Sequence, residues 1–545
     1  IIKYLELAGD RAKDNYENTR AERYYNKLLK LESDNAKNVS IQLKLCDVYM
    51  NRDQWDKQIE VCGQLLKKTG KIDRKSRIEC YARMGLALRL KGNYKEALLT
   101  FRKERKFLAS NATTEKLAVA ERIANVYKDM GKYENAMRIF EEVNINSKLF
   151  SNNDLYKGSL VGLGIVYTKT GKYFDAIKSN SELLKYSELN NDKQAAIKAY
   201  INKAESHYYL GEYNEAQSCY INGLKIAKKV YRIHDAILCL ANLGNIYYSK
   251  GQYNKATKIY HKLKVSFGYL GDKAGTASVM CSLGICKIAA GDYPLAIEYL
   301  EKHLTLSKNL KRESSIALSY CNLGVVYNLM GDFATAKKYF RSQLRIDERI
   351  GNWEGIVRAF INIAIQYKNI EKYSKALKNL ERASKIIGKK GIKTYNALLY
   401  LNLSEVHLAL GGISESIKFS QLATEEAKEN ENIEIEILAS GVLTRARVIQ
   451  LLENKRAFSN GELKKATCLL KDFRSRSQST KNREFKGNIL FESYIIGKRI
   501  VDKGINLNIK DIRSKAIKIF EDLYKNSPQY EFFSKIKILK KDTFQ

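Results

Sequence analysis

Between residues 92 and 373 the chain repeats Gly-x-aromatic-x-x-Ala on a fixed ruler: Gly92/Tyr94/Ala97, Gly131/Tyr133/Ala136, Gly171/Tyr173/Ala176, Gly211/Tyr213/Ala216, Gly251/Tyr253/Ala256, Gly291/Tyr293/Ala296 and Gly331/Phe333/Ala336. The step is thirty-nine positions once and then forty positions five times. A period of roughly 20 to 50 residues belongs to solenoids, propellers or arrays, in which each unit buries its apolar face only by stacking on the next. The repeat therefore constrains the architecture before any single residue is weighed, and it favours binding over catalysis.

Twelve residues before each alanine position stands a second small residue: Gly85, Ala124, Gly164, Ala204, Gly244, Gly284, Gly324, Ala364 and Ser404. Around Leu243-Gly244, Tyr247, Gly251, Tyr253, Ala256 and Tyr260 the apolar residues fall three and four apart, as on one face of a helix, and the glycine separates one helix from the next. Each unit is thus a helix A, a tight turn and a helix B. Two small residues per unit predict that A and B approach backbone to backbone.

Leu243, Gly244, Tyr247, Ala256 and Tyr260 resemble the tetratricopeptide repeat in order and spacing, as do Leu163/Gly164/Tyr167/Ala176 and Leu323/Gly324/Tyr327/Ala336/Phe340. The resemblance implies an all-α, right-handed superhelical solenoid of helix-turn-helix units. Two departures stand out. The closing proline is missing, in a chain with only 2 Pro, and the forty-position unit is longer than the family's. The extra residues must lengthen helix B or its link to the next helix A, and links such as Gly271-Asp272-Lys273 and Gly351-Asn352-Trp353 supply the turn chemistry instead of proline. Asn242-Leu243-Gly244-Asn245 makes the unit similar to the Leu-Gly-Asn repeat adaptors. The opening segment, Tyr4 to Ala12 with Tyr16 and Ala21 to Tyr25, resembles the junction where such arrays start in large bacterial signalling proteins, behind a nucleotide cyclase, kinase or NTPase module. A regulatory segment of such a protein, present here as a fragment, is the alternative reading of the chain.

Single cores stop growing at about 250 to 300 residues, whereas a solenoid of 545 residues escapes that limit because its stability is a sum of local terms. No uninterrupted apolar stretch reaches the roughly 18 residues of a membrane span, and no secretory leader is visible at Ile1-Ile2. The nine cysteines lack any Cys-x-x-Cys pair and read as core thiols of a reducing cytoplasm rather than metal ligands. The formal charge of +35 is spread over every unit, so it reads first as a solvated surface, second as attraction for an acidic protein partner, and third as nucleic-acid binding.

The organisation expected is irregular repeat-like units over 1–80, a regular array over 81–440, and degenerate repeats with a helical cap over 441–545. Glu425, Glu426, Glu429, Glu431, Glu434 and Glu436 mark an exposed acidic link. The Ser-, Lys- and Arg-rich stretch from Lys471 to Lys486 reads as a mobile loop, followed by helices near 488–503 and 509–525, the latter ended by Pro528.

The candidate site is a ladder of asparagines two residues before the small position of helix A: Asn202, Asn242, Asn322, Asn362 and Asn402. Helix A lines the concave face in the family resembled, and an amide both donates and accepts, so such a row can grip the backbone of a peptide. Asn125, Asn245, Tyr208, Tyr248, Asn328 and Lys368, with Glu205, lie one turn further along helix A and would supply selectivity. His207 and His407 occupy the place of a packing tyrosine, and His234, His261 and His303 are isolated. No phosphate loop, nucleophile elbow or metal-ligand spacing occurs, so neither a cofactor nor an enzymatic activity is expected of this chain.

Overall fold

Each ruler glycine closes a helix. Gly92, Gly131, Gly171, Gly211, Gly251, Gly291 and Gly331 all have positive φ, the left-handed C-terminal cap that glycine adopts without steric cost. The ruler aromatic then opens the next helix, as Tyr94, Tyr133, Tyr173, Tyr213, Tyr253, Tyr293 and Phe333 all do.

A computed structural model describes residues 1–15, 17–67, 72–392, 394–429, 432–453, 460–479, 483–502, 507–526 and 528–541. Among them are 27 α-helices and no strand. These are α1 (Ile2–Asp14), α2 (Asn18–Leu31), α3 (Asn35–Asn51), α4 (Trp55–Lys67), α5 (Arg74–Leu90), α6 (Tyr94–Lys106), α7 (Thr113–Asp129), α8 (Tyr133–Leu149), α9 (Asn153–Lys169), α10 (Tyr173–Leu189), α11 (Lys193–Tyr209), α12 (Tyr213–Lys229), α13 (Ile233–Ser249), α14 (Tyr253–Tyr269), α15 (Lys273–Ala289), α16 (Tyr293–Asn309), α17 (Glu313–Leu329), α18 (Phe333–Ile350), α19 (Trp353–Asn369), α20 (Tyr373–Lys390), α21 (Asn396–Ala409), α22 (Ile413–Glu429), α23 (Ile433–Glu453), α24 (Asn460–Ser479), α25 (Arg483–Val501), α26 (Ile509–Asn526) and α27 (Tyr530–Lys541). They form two compact units, Ile1–Ile246 and Tyr247–Gln545.

From α7 to α17 every helix is 17 residues long, as in α15 and α16, with three-residue turns within each unit. The extra residues of the forty-position unit are thus shared by the two equal helices, and are not confined to helix B or to its link. Several links to the next helix A are closed by side-chain caps: Asp192 accepts from Ala195 N at 2.9 Å, Asp272 from Gly275 N at 2.8 Å and Asn352 from Gly355 N at 3.2 Å. Each satisfies one amide that the first turn of a helix leaves without an internal partner.

The packing corrects one expectation. The small residue of helix A does not admit the helix B backbone; it admits a helix B side chain, four residues after the ruler alanine. A Cβ placed on Gly85 would lie 2.5 Å from the Phe101 ring, on Gly324 2.6 Å from Phe340, on Gly164 2.6 Å from Asn180, and on Gly284 2.8 Å from Leu300. The ruler alanines from Ala97 to Ala336 are fully buried between the helices.

Within each unit consecutive A helices also pack on one another, α7 on α9 and α9 on α11 in the first, α17 on α19 and α19 on α21 in the second; among the described residues the B helices form no comparable pairs. The A helices therefore line the tighter, inner side of each unit.

The register reaches further toward the N-terminus than the ruler shows. Asp53 stands one ruler step before Gly92 and holds the same left-handed conformation at φ 55°, Trp55 opens α4, and Gln58, in the alanine position, is buried with its Nε2 donating to Arg83 O at 3.0 Å. Two other expectations change. Residues 471–479 and 483–486 are helical, in α24 and α25, rather than a loop, because Ala466, Leu470 and Phe473 continue a buried stripe through the charged sequence. α27 is an additional helix. Tyr16, Glu431 and residues 480–482 lie outside the described residues.

All nine cysteines are free thiols. Seven are buried, Cys219 is half-buried and Cys468 is exposed. Burial pushes the Cys281 and Cys286 thiols up to about 11 and Cys239 up to about 12. Among the described residues no helix is long and apolar enough to cross a membrane.

Candidate functional site

The inner face of the first unit carries a depression of about 330 Å³ at the seam between α11 and α13. It gathers three of the sequence-predicted residues, Tyr208, Asn242 and Asn245, with Glu205. The repeat step puts Glu205 and Asn245 at one register position of neighbouring A helices, which is why they meet. Ile201, Leu238 and Tyr209 add apolar wall, and Tyr220 of helix B forms a buried base.

The rim is ordered by local contacts. Tyr209 stacks on Tyr173 with ring centroids 5.6 Å apart, and Tyr208 lies 5.5 Å from Tyr213. Lys169 from the preceding A helix pairs with Glu205 at 2.9 Å. Asn245 Nδ2 donates to Asn242 Oδ1 at a long 3.4 Å, while the Asn242 Nδ2 donor has no protein partner among the described residues. Leu238 and Tyr209 are both nearly half exposed. Apolar walls with a carboxylate and amides converging at one end make a side-chain-sized receptor. Asn202 stands one unit before Asn242, half-buried on α11, and is not part of the depression.

Asn125 belongs to a second depression of about 340 Å³ across α7, α9 and α11. Its amide is engaged on both sides: Nδ2 donates to Glu121 O at 3.1 Å and Oδ1 accepts from Lys128 Nζ at 2.8 Å. Burial holds the Glu121 carboxyl above its usual range and the Lys128 ammonium below its own. Gly158 keeps this depression open, since a Cβ there would lie 2.2 Å from Glu121 Oε1.

In the second unit the ladder residues bond within the protein. Asn322 Nδ2 donates to Cys281 Sγ at 3.4 Å and Asn362 Nδ2 to Cys321 Sγ at 3.6 Å, each reaching back to the neighbouring A helix. Thiol sulfur is a weak acceptor, so these amides are lightly held. Asn402 is held firmly: it is buried, its Nδ2 donates to Leu398 O at 2.8 Å, and its Oδ1 accepts from Lys368 Nζ at 3.0 Å while Lys368 also pairs with Glu405. Asn328 Oδ1 is buried with no protein partner among the described residues, and Tyr248 packs 5.5 Å from Tyr253.

Three histidines make local contacts. His407 stacks on Phe419 at 5.4 Å, and His207 Nδ1 lies 2.6 Å from Glu212. His303 is not isolated: buried, it bonds Ser319 Oγ at 2.8 Å, and burial holds its imidazole below the usual range. Ser319 Oγ also donates to Ser315 O at 2.9 Å, so the pair closes the joint between α16 and α17.

Sequence reasoning missed Tyr209, Tyr220 and Leu238. Their signal was available, since Leu238 lies four residues before Asn242 on the same helix face.

A tetratricopeptide-repeat model matches residues 195–263, 236–309 and 315–389, and a second one matches 119–144. Among solved structures the chain is similar to the apo form of RapI at 12% identity, over 66% of this chain and 99% of that one, with a TM-score of 0.49. It is similar to the apo quorum sensor NprR from B. thuringiensis at 14% identity, over 65% and 99%, with a TM-score of 0.46. The APC/C hetero-tetramer Cut9–Hcn1 gives 14% identity over 99% and 96%, with a TM-score of 0.41. No curated protein matches the sequence. On the matched segments and on the register of small residue, glycine, aromatic and alanine that runs through both units, the chain carries tetratricopeptide repeats.

Proposed function

We propose that the inner face of the first unit binds a peptide or helical segment of a partner protein, with the α11–α13 seam as its principal grip. The observation that carries this reading is the depression joining Tyr208, Asn242 and Glu205. Its apolar wall accepts a side chain while the amides bond the backbone beside it. The formal charge of +35 adds a long-range, salt-sensitive attraction for an acidic partner, acting on association rate more than on fit.

The test compares two full-length double variants in affinity capture followed by titration of the captured protein. Tyr208→Ala with Asn242→Ala should weaken binding at least tenfold. Asn322→Ala with Asn362→Ala removes only amide–thiol contacts, costs less than about 1 kcal/mol of stability, and should leave that affinity unchanged. Equal affinity for wild type and the first double variant, with helical content intact, would reject the seam as the binding site.

A further inference from the structure

α27 reaches back across the second unit. Its buried Phe532 and Leu539, with the half-buried Ile536, pack into the apolar cluster of α25 and α26, and Arg513 Nε donates to Leu539 O at 2.7 Å. Its first residue does something else. The Tyr530 ring stands edge-on to Phe333 with centroids 5.0 Å apart and planes at 87°, a pair far apart in the chain.

Gly331 makes the approach possible. Its φ is 82°, and a Cβ there would lie 3.0 Å from Tyr530 Cδ2. Here the ruler's turn glycine and aromatic form a receiving surface in addition to capping and opening helices. The adjoining Glu531 pairs with Lys535 at 2.5 Å and also feels the positive charge of Lys368 on α19.

We propose that the Gly331–Phe333 turn is an interaction surface for a helix that presents an aromatic–acidic pair, and that α27 occupies it as an exchangeable latch. One edge-to-face pair and an exposed, screened charge are a weak hold. The contact persists because the packing of α27 on α25 and α26 keeps Tyr530 at a high effective concentration beside the turn. A partner helix with the same two groups would compete for the turn. Lys535, and after it Lys368, hold the Glu531 carboxyl below its usual range, so the acidic member of the pair is charged when it meets the turn.

Hydrogen exchange on the full chain tests this. Tyr530→Ala should speed amide exchange in residues 330–336 at least fivefold without altering α25 or α26. Phe333→Ala, approaching from the other side, should speed exchange at the start of α27. Millimolar synthetic peptide of residues 528–541, added to the Tyr530→Ala chain, should restore protection at 330–336, and the same peptide carrying Tyr530→Ala should not. Unchanged exchange in both variants overturns the latch; equal protection by the two peptides overturns the aromatic recognition.

Discussion

Gly324 and Phe340 compete for one space, since the Cβ that the glycine lacks would lie 2.6 Å from the ring. In an ordinary helix interior Ala is better than Gly by about 0.5–1 kcal/mol. Here the sign reverses: Gly324→Ala should destabilise the chain by about 1–3 kcal/mol through overpacking. Urea unfolding reads this as a lower midpoint at unchanged slope. Adding Phe340→Leu should recover part of the loss, because the next unit carries Ala364 and Leu380 at the same two positions, both in its core. A stabilised Gly324→Ala chain would refute the account.

Tyr231 holds φ 57° with its side chain 88% exposed. Gly271, Gly351 and Gly391 take that position in later units, and Asn191 takes it one unit earlier. A left-handed conformation costs an L-residue roughly 1–2 kcal/mol, which Asn tolerates better. Tyr231→Asn should therefore raise stability by up to about 1 kcal/mol, seen as a higher thermal midpoint. A lower midpoint would mean that the tyrosine ring makes a compensating contact.

Glu484 gives the second unit a pH response. Burial, followed by the like charges of Glu531 and Glu434, pushes its carboxyl up to about 7, with Lys535 opposing; Tyr253 faces the same group. Between the ordinary carboxylate range and pH 7 the folded chain keeps a proton that the unfolded chain has lost. Stability contributed here is present at acid pH and falls as pH rises through that window. Thermal midpoints at pH 5, 6, 7 and 8 should fall less steeply in Glu484→Gln than in wild type, and parallel slopes would exclude Glu484 as the source.

The repeat was legible because its packing residues are few and strict: glycine at a left-handed turn, alanine between helices, an aromatic at a helix start. It became illegible where other residues met the same demand. Asp53 tolerates the left-handed turn and Gln58 fills the alanine site by bonding Arg83 O, so a unit in register looked irregular. α24 was hidden because its buried stripe of Ala466, Leu470 and Phe473 runs inside a charged sequence. The site was legible in part. A constant register placed Tyr208, Asn242 and Asn245 together, but it could not show that Asn402 is consumed by Lys368 and Leu398 O, or that Asn322 and Asn362 lean on thiols. Those bonds depend on what the neighbouring helix offers, which periodicity does not encode.

The nine free thiols give the chain an internal gauge of opening. Cys468 is the exposed one, while Cys46, Cys62, Cys80, Cys239, Cys281, Cys286 and Cys321 are spread through the cores of both units. A protonated, buried thiol reacts only after its surroundings part. The order in which an alkylating reagent marks these positions would therefore chart which helix joints breathe first, without adding any probe to the protein.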